Sequence, residues 1–378
     1  IQQLNIVFGF FAAFLSNYFF NLFNADGSTL LNDETTWRWM LGVEFFPAIL
    51  YFIALFFVPK SPRWLYTQNQ RDEAKAILEN IHGAEQSAIE IASIEQSIQA
   101  EDENEKVPLS ALLNPSLRFI MLVGLTLGIL QQVTGINAVY FYATSIFKQT
   151  GMGDNAAFLS GVFLSMTTVV FTLIAIYFID RMGRRPLLLV GIAGIAISLL
   201  ICSYGFSQAT YRLSEEKIVS MDIENASALT SLANTTYDSD IAFKQAVKEK
   251  IGAQTFAKNE GTILEAAIDI NALLVLIGIV GFIACFAFSL GPVMWVMLSE
   301  LFPNRYRGLA IGLIGFVNSF SSWFIQQVFP WELSNLGASL TFMIYGLIAA
   351  AGVIIFIKIL PETKGKSLEE IEADLVKA

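Results

Sequence analysis

Eight stretches of about twenty mostly apolar residues constrain this chain more than any motif in it. They run over residues 4–23, 39–58, 119–140, 157–179, 187–206, 272–298, 309–329 and 339–357, and charges, proline or glycine bound them. A hydrocarbon core of ~30 Å is crossed by about 20 helical residues. Inside it every backbone N–H and C=O has to be bonded within the segment, so such stretches fold as helices. Composition agrees: 54% of the 378 residues are apolar, 15% are charged, and the mean hydropathy is +0.57, whereas a soluble globular chain carries about 25% charged residues. The expected fold class is all-α integral membrane, with eight transmembrane helices.

The polar remainder orders these spans. Residues 60–118 read as a small amphipathic helical insert, in which Ile77, Leu78 and Ile81 form one apolar edge of a helix over Arg71–His82. Residues 207–265 form a second polar stretch with turn formers throughout, which excludes a ninth span. The sequons at Asn225 and Asn234 within it match glycosylation acceptors, but such short patterns recur by chance, and no glycan is expected. Arg181, Arg184 and Arg185 follow the fourth span, and Arg305 and Arg307 the sixth. Counted with residues 60–118 and the C-terminal tail, that side holds fifteen of the 23 Lys and Arg residues. Basic loops stay inside, so the tail is expected to be cytoplasmic.

A net charge of −10 and a pI near 4.8 argue against nucleic acid, which needs a clustered basic surface. Cys202 and Cys285 both fall within spans and read as packing residues; His82 lies in the insert and reads as a solvated helix residue. No phosphate loop, catalytic triad or metal-ligand spacing is present, so neither an enzyme nor a cofactor is expected.

Polar side chains at membrane depth are costly unless they face a partner or a watery cavity, which makes them site candidates. The third span ends Gln131-Gln132-Val133-Thr134-Gly135-Ile136-Asn137. On a continuous helix, residues 131, 134 and 138 share one face and 132, 136 and 139 the next, so the two glutamines diverge by about 100°. Carboxamides both donate and accept, which suits a solute with vicinal hydroxyls; the competing role is interhelical hydrogen bonding with no ligand. The sixth span carries Gly291-Pro292-Val293-Met294-Trp295, a helix-bending pair beside an indole whose flat apolar face suits a sugar ring. Trp295 could otherwise be an interfacial anchor. At the arginine-rich ends lie Asp180-Arg181-Met182-Gly183-Arg184-Arg185-Pro186, Glu300-Leu301-Phe302-Pro303-Asn304-Arg305-Tyr306-Arg307-Gly308 and Pro361-Glu362-Thr363-Lys364-Gly365. Their charges fit a conformational latch made and broken between helix bundles, or topology signals only.

These strings, with Lys60-Ser61-Pro62-Arg63, occur in the order seen in the sugar porters of the major facilitator superfamily, which the chain resembles over nearly its whole length. The resemblance is strongest to bacterial proton-coupled sugar symporters. It implies a twelve-helix fold in two halves around a central site, working by alternating access. Matching motifs places the eight spans at helices 5–12 of 12. The chain, which opens at Ile1, is therefore expected to be a major facilitator fold fragment missing its N-terminal helices. Residues 1–59 would close the N-terminal bundle, 60–118 the cytoplasmic linker and 119–360 the C-terminal bundle, with an external loop at 207–265 and a tail at 361–378. The resemblance assigns Gln131, Gln132, Asn137 and Trp295 to the sugar, and Asn318, polar and next to Ser319, is a further candidate contact. The resemblance also assigns Arg63, Asp180, Arg181, Gly183, Arg184, Arg185, Glu300, Arg307 and Glu362 to the latch, where Lys60 replaces a usual Glu. Phe10, Phe141, Thr168 and Ser319 depart from the family's usual Gln, Tyr, Asn and Trp. The implied function is proton-coupled uptake of a small neutral sugar or polyol through the lipid bilayer. Facilitated diffusion of the same solutes and a transporter-like sensor are the alternatives, and an organic-anion porter would need intramembrane cations that the spans lack.

Overall fold

The computed structural model describes residues 2–25, 32, 35–102, 108–148, 150, 154–221, 223 and 226–365. Ile1, Asn225 of the first sequon and tail residues 366–378 lie outside the described residues. All eight apolar stretches form helical spans long and apolar enough to cross a membrane. This is a multi-pass membrane protein.

In chain order the helices are α1 (Gln2–Ala25), α2 (Thr36–Gly42), α3 (Phe45–Leu55), α4 (Pro62–Thr67), α5 (Arg71–His82), α6 (Ala84–Asp102), α7 (Arg118–Val133), α8 (Ile136–Phe141) and α9 (Ala143–Lys148). They continue with α10 (Asp154–Met182), α11 (Arg184–Ser207), α12 (Glu215–Ser220), α13 (Asp240–Ile251), α14 (Ala253–Ala267), α15 (Ala272–Phe288), α16 (Leu290–Leu301), α17 (Asn304–Asn335) and α18 (Gly337–Ile359). The described residues also include three short strands, β1 (Thr210–Arg212), β2 (Thr236–Tyr237) and β3 (Ile268–Asp269). Two compact units result, Glu34–Ala111 and the combination of Ile1–Asp33 with Leu112–Ala378. They group the first span with the later helices and the second span with the insert, a different division from the sequence-based segments.

In the smaller unit, α2 and α3 form the second span around a turn at Val43 and Glu44. Its aromatic side chains Phe45, Phe46, Phe52, Phe56 and Phe57 are exposed, an apolar surface suited to hydrocarbon. The insert is helical, but its buried edge is Ala74 and Leu78, one turn apart, while Ile81 is exposed. Packing of α4 and α6 against α5 selects that edge, which the apolar residues of α5 alone do not reveal.

In the larger unit, α11 packs on α15 and α18 along most of its length and leaves Val190, Ile197 and Tyr204 exposed on its other face. Close approach depends on small residues. A Cβ on Gly278 would meet the Cys202 thiol, one on Gly194 the Cys285 thiol, and one on Gly191 the Ser289 side chain. Both cysteines therefore sit in glycine notches of a facing helix, where close backbone contact and dispersion replace the hydrophobic drive that lipid removes. The first span, α1, lies along α10, with Phe14 filling the space over Gly161.

Residues 207–270 form more than the polar loop expected. The three strands pair antiparallel in the order β2-β1-β3, and α12 to α14 pack on them around a core that includes Tyr211, Leu229, Phe243, Val247, Phe256 and Ile263. Ser214 and Ser239 cap α12 and α13 by accepting the Lys217 and Ala242 amides. Buried Lys244 holds Asp240 at 3.7 Å and Glu260 at 3.3 Å. The apolar residues of this segment are too scattered for a span and too many for a solvated loop.

Candidate functional site

Both polar motifs coincide with breaks in their spans. α7 stops at Val133; Thr134 turns its hydroxyl back onto the Gln131 carbonyl (3.0 Å). Gly135 follows at φ +84, a left-handed conformation that glycine adopts without a Cβ penalty. Its carbonyl accepts the Val139 amide at 2.9 Å and starts α8. In the sixth span, Pro292 has no N–H for the residue 288 carbonyl, and its ring would crowd that carbonyl in a continuous helix. The chain instead breaks at Ser289 (φ −131, ψ −90), which leaves Pro292 in the first turn of α16, where a missing donor costs nothing.

The α7 break revises the two-face picture of the glutamines, because Asn137 to Val139 belong to a second helix. Gln131 and Gln132 are both buried and share one network. Gln132 Nε2 donates to Gln131 Oε1 and Asn318 Oδ1, both at 3.2 Å. Asn318 Nδ2 donates to Gln131 Oε1 and the Gly128 carbonyl at 2.8 Å. Asn137 Nδ2 donates to Gln132 Oε1 (2.9 Å) and Ser322 Oγ (2.7 Å), and Gln131 Nε2 donates to the Leu290 carbonyl (2.9 Å). The network joins α7, α8, α16 and α17. Among the described residues it leaves one Gln131 N–H and the Asn137 carbonyl oxygen for something else.

That vacancy borders a cavity of about 170 Å³. Gln131, Gln132, Asn137 and Trp295 line it, with Phe10, Tyr140, Thr168, Thr172 and Phe286 among the rest, and among the described residues no charged side chain does. Trp295 is 40% exposed and stands over Gly315, with its indole available to the cavity. Asn318 sits behind the glutamines, and with Asn137, Ser319 and Ser322 it edges a neighbouring polar cleft on α17. Of the departures from the family pattern, Phe10 stacks on Tyr140 at 5.5 Å and Thr168 pairs with the Tyr140 hydroxyl. Phe141 is 62% exposed and does not line the cavity. Tyr140 and Thr172 were missed in the sequence: a tyrosine inside an apolar run and a threonine mid-span carry no signal until helices are placed.

The arginine-rich ends meet at a second site. Arg184 binds Glu300 through Nη2 (2.8 Å) and Nε (3.2 Å), with Asp180 3.3 Å from Nη1. Thr363 donates to the other Glu300 oxygen at 2.6 Å. Glu362 accepts the backbone amides of Arg184 and Arg185, so a carboxylate caps the N-terminus of α11. Gly183, at φ +93, lets it come close, since a Cβ there would sit 2.7 Å from Glu362 Oε2. Lys364 Nζ donates to the Arg181 carbonyl, while the Arg181 guanidinium lies over the Tyr177 ring. Arg185 Nη2 reaches the Ile357 carbonyl and Arg307 Nε that of Phe302. These contacts clasp α10, α11, α16 and the tail of one unit together. Arg63 belongs to the smaller unit, at the start of α4.

Two broken membrane helices that bring carboxamides and an indole to one cavity, with a charge network gathered at the arginine-rich helix ends, define the class: a helical membrane protein with a candidate solute site. The chain belongs to the sugar transporter family: the family model described as "Sugar (and other) transporter" matches residues 1–228 and 251–375. It is 31% identical to the arabinose-proton symporter of Bacillus subtilis (strain 168), over 98% of this chain and 66% of that protein. It is 29% identical to the major myo-inositol transporter IolT of the same organism, over 98% of this chain and 65% of that one. The inward-open structure of the xylose transporter XylE from E. coli superposes with a TM-score of 0.68 at 26% identity, covering 99% of this chain and 64% of that one. The chain thus spans about two thirds of the length of the curated relatives it matches.

Proposed function

We propose that this chain is part of a secondary transporter that carries a neutral monosaccharide or polyol by alternating access, with proton-coupled uptake as its mode. The carrying observation is the cavity lined by Gln131, Gln132, Asn137 and Trp295 and, among the described residues, by no ionised group. Carboxamides match hydroxyls that donate and accept, and the indole offers a face to sugar C–H bonds. Relatives named for arabinose with protons and for myo-inositol support the solute class and the coupling. The excess of Lys and Arg on the Arg184 side supports a cytoplasmic tail in a bacterial inner membrane. The Arg184–Glu300–Glu362 network, with Asp180, Arg181, Gly183, Arg185 and Arg307, serves as the conformational latch; Arg63, in the smaller unit, is a separate candidate for the same role.

The test is uptake of labelled pentoses, hexoses and inositols by cells expressing the full-length protein that carries this chain, with and without a protonophore. Accumulation of at least one solute, abolished by the protonophore, is the expected result. Accumulation of none removes the reading; equilibration that ignores the protonophore replaces symport with facilitated diffusion.

A further inference from the structure

Hydroxyl groups on a membrane helix usually bond back to the carbonyl of the preceding turn, because hydrocarbon offers no other acceptor. On α10 the rule holds for Ser160, Ser165, Thr167 and Thr168, which donate to Ala156, Val162, Phe163 and Leu164 carbonyls at 2.8 to 3.0 Å. Thr172 departs from it. Its side chain is fully buried, its hydroxyl has no hydrogen-bond partner among the described residues, and it borders the cavity one turn from Thr168. A buried hydroxyl left unpaired is unfavourable and calls for an explanation.

Tyr140 supplies the neighbouring group. It is 8% exposed, borders the same cavity and pairs with Thr168. Because the Thr168 proton goes to the Leu164 carbonyl, the Tyr140 proton must go to Thr168 Oγ1. The Tyr140 oxygen is left able only to accept, whereas Thr172 is free to donate or accept. Neither residue belongs to the carboxamide network, and Phe10 stacked on Tyr140 fixes the ring from the other side.

We propose that Thr172 contacts the solute directly and, with the Tyr140 oxygen, reads one ring hydroxyl that the carboxamides do not reach. The inference rests on the cavity being the solute site. It gives the orphaned hydroxyl a partner that arrives with the solute, and it makes α10 a specificity-determining wall.

The experiment uses the full-length protein purified in detergent. Binding of D-glucose, D-xylose, L-arabinose and myo-inositol to the unsubstituted protein is measured first, by calorimetry. If none binds, the solute reading itself fails and this inference falls with it. For the tightest binder, the corresponding monodeoxy analogues are then titrated against Thr172→Val, Thr172→Ser and Tyr140→Phe, with melting temperatures recorded for each. Thr172→Val is expected to weaken the parent solute roughly threefold to tenfold. It should leave unchanged the affinity for the one analogue that lacks the recognised hydroxyl, and Thr172→Ser should restore the parent affinity. Equal binding of the parent solute by Thr172→Val and the unsubstituted protein overturns the proposal. So does a loss of the same size for every analogue, which would mark a packing role.

Discussion

Gln132 directs both amide protons to other carboxamides and its oxygen to Asn137, so the alternatives of helix gluing and solute binding are not exclusive at this residue. The network fixes the positions of the Gln131 N–H and the Asn137 side-chain oxygen that it leaves over among the described residues, the groups a solute would meet under the proposed function. Gln132→Ala removes three hydrogen bonds and leaves Asn318 Oδ1 and one Asn137 N–H to find new partners in a buried place. Each buried orphan costs about 1–3 kcal/mol. The variant is therefore expected to bind solute about tenfold more weakly or worse and to melt at a lower temperature, both measurable on the purified full-length protein. Weaker binding with an unchanged melting temperature would mean that the network adds nothing to stability; lower melting with unchanged binding would leave it a purely structural joint. The glutamine pair was legible as a candidate site from its place in a span. That Asn318 on α17 holds the two together was not, because residues 186 apart in the chain meet only once α7 and α17 pack.

At the scale of elements, the breaks in the third and sixth spans position the site. Gly135 turns the chain in the left-handed region with the Tyr345 ring 3.1 Å from where a Cβ would be. Tyr345 is held in turn by its hydrogen bond to Glu332 (2.8 Å) and by contact with Phe329. Gly135→Ala meets both a backbone penalty and an immobile ring, and a loss of about 1–3 kcal/mol is expected. Thermal unfolding in detergent should show it, together with weakened solute binding, since Asn137 moves with α8. An alanine variant as stable and as tight-binding as the unsubstituted protein would mean that the α7–α8 break does not position the site. The Gly-Pro pair announced a bend in the sequence, although the break itself falls two residues earlier, at Ser289.

For the whole molecule, Glu300 is the joint on which α16, α11 and the tail converge. Arg184 and Glu300 are 14% and 21% exposed, between a surface pair and a fully buried one. Glu300→Ala leaves Arg184 with exposed Asp180 as its remaining carboxylate, and a cost of about 1–3 kcal/mol follows from breaking such a pair. In the full-length protein, transport is expected to fall several-fold while thiol labelling of engineered cysteines at the Arg184 end speeds up. Lost transport with unchanged labelling from either side would reduce these charges to topology signals. The contacts of the clasp all lie within the larger unit.

The sequence by itself determined the class: eight runs long enough to span hydrocarbon, their polar interruptions, and motifs whose order resembles the sugar porters. Those are local properties, set by the length and solvation of single segments. Tertiary structure alone decided which carboxamides share protons, that Thr172 is left without a partner among the described residues, that Glu362 caps α11, and that β1 to β3 and α12 to α14 pack around a core of their own. Each depends on contacts between segments far apart in the chain, and hydropathy describes one segment at a time.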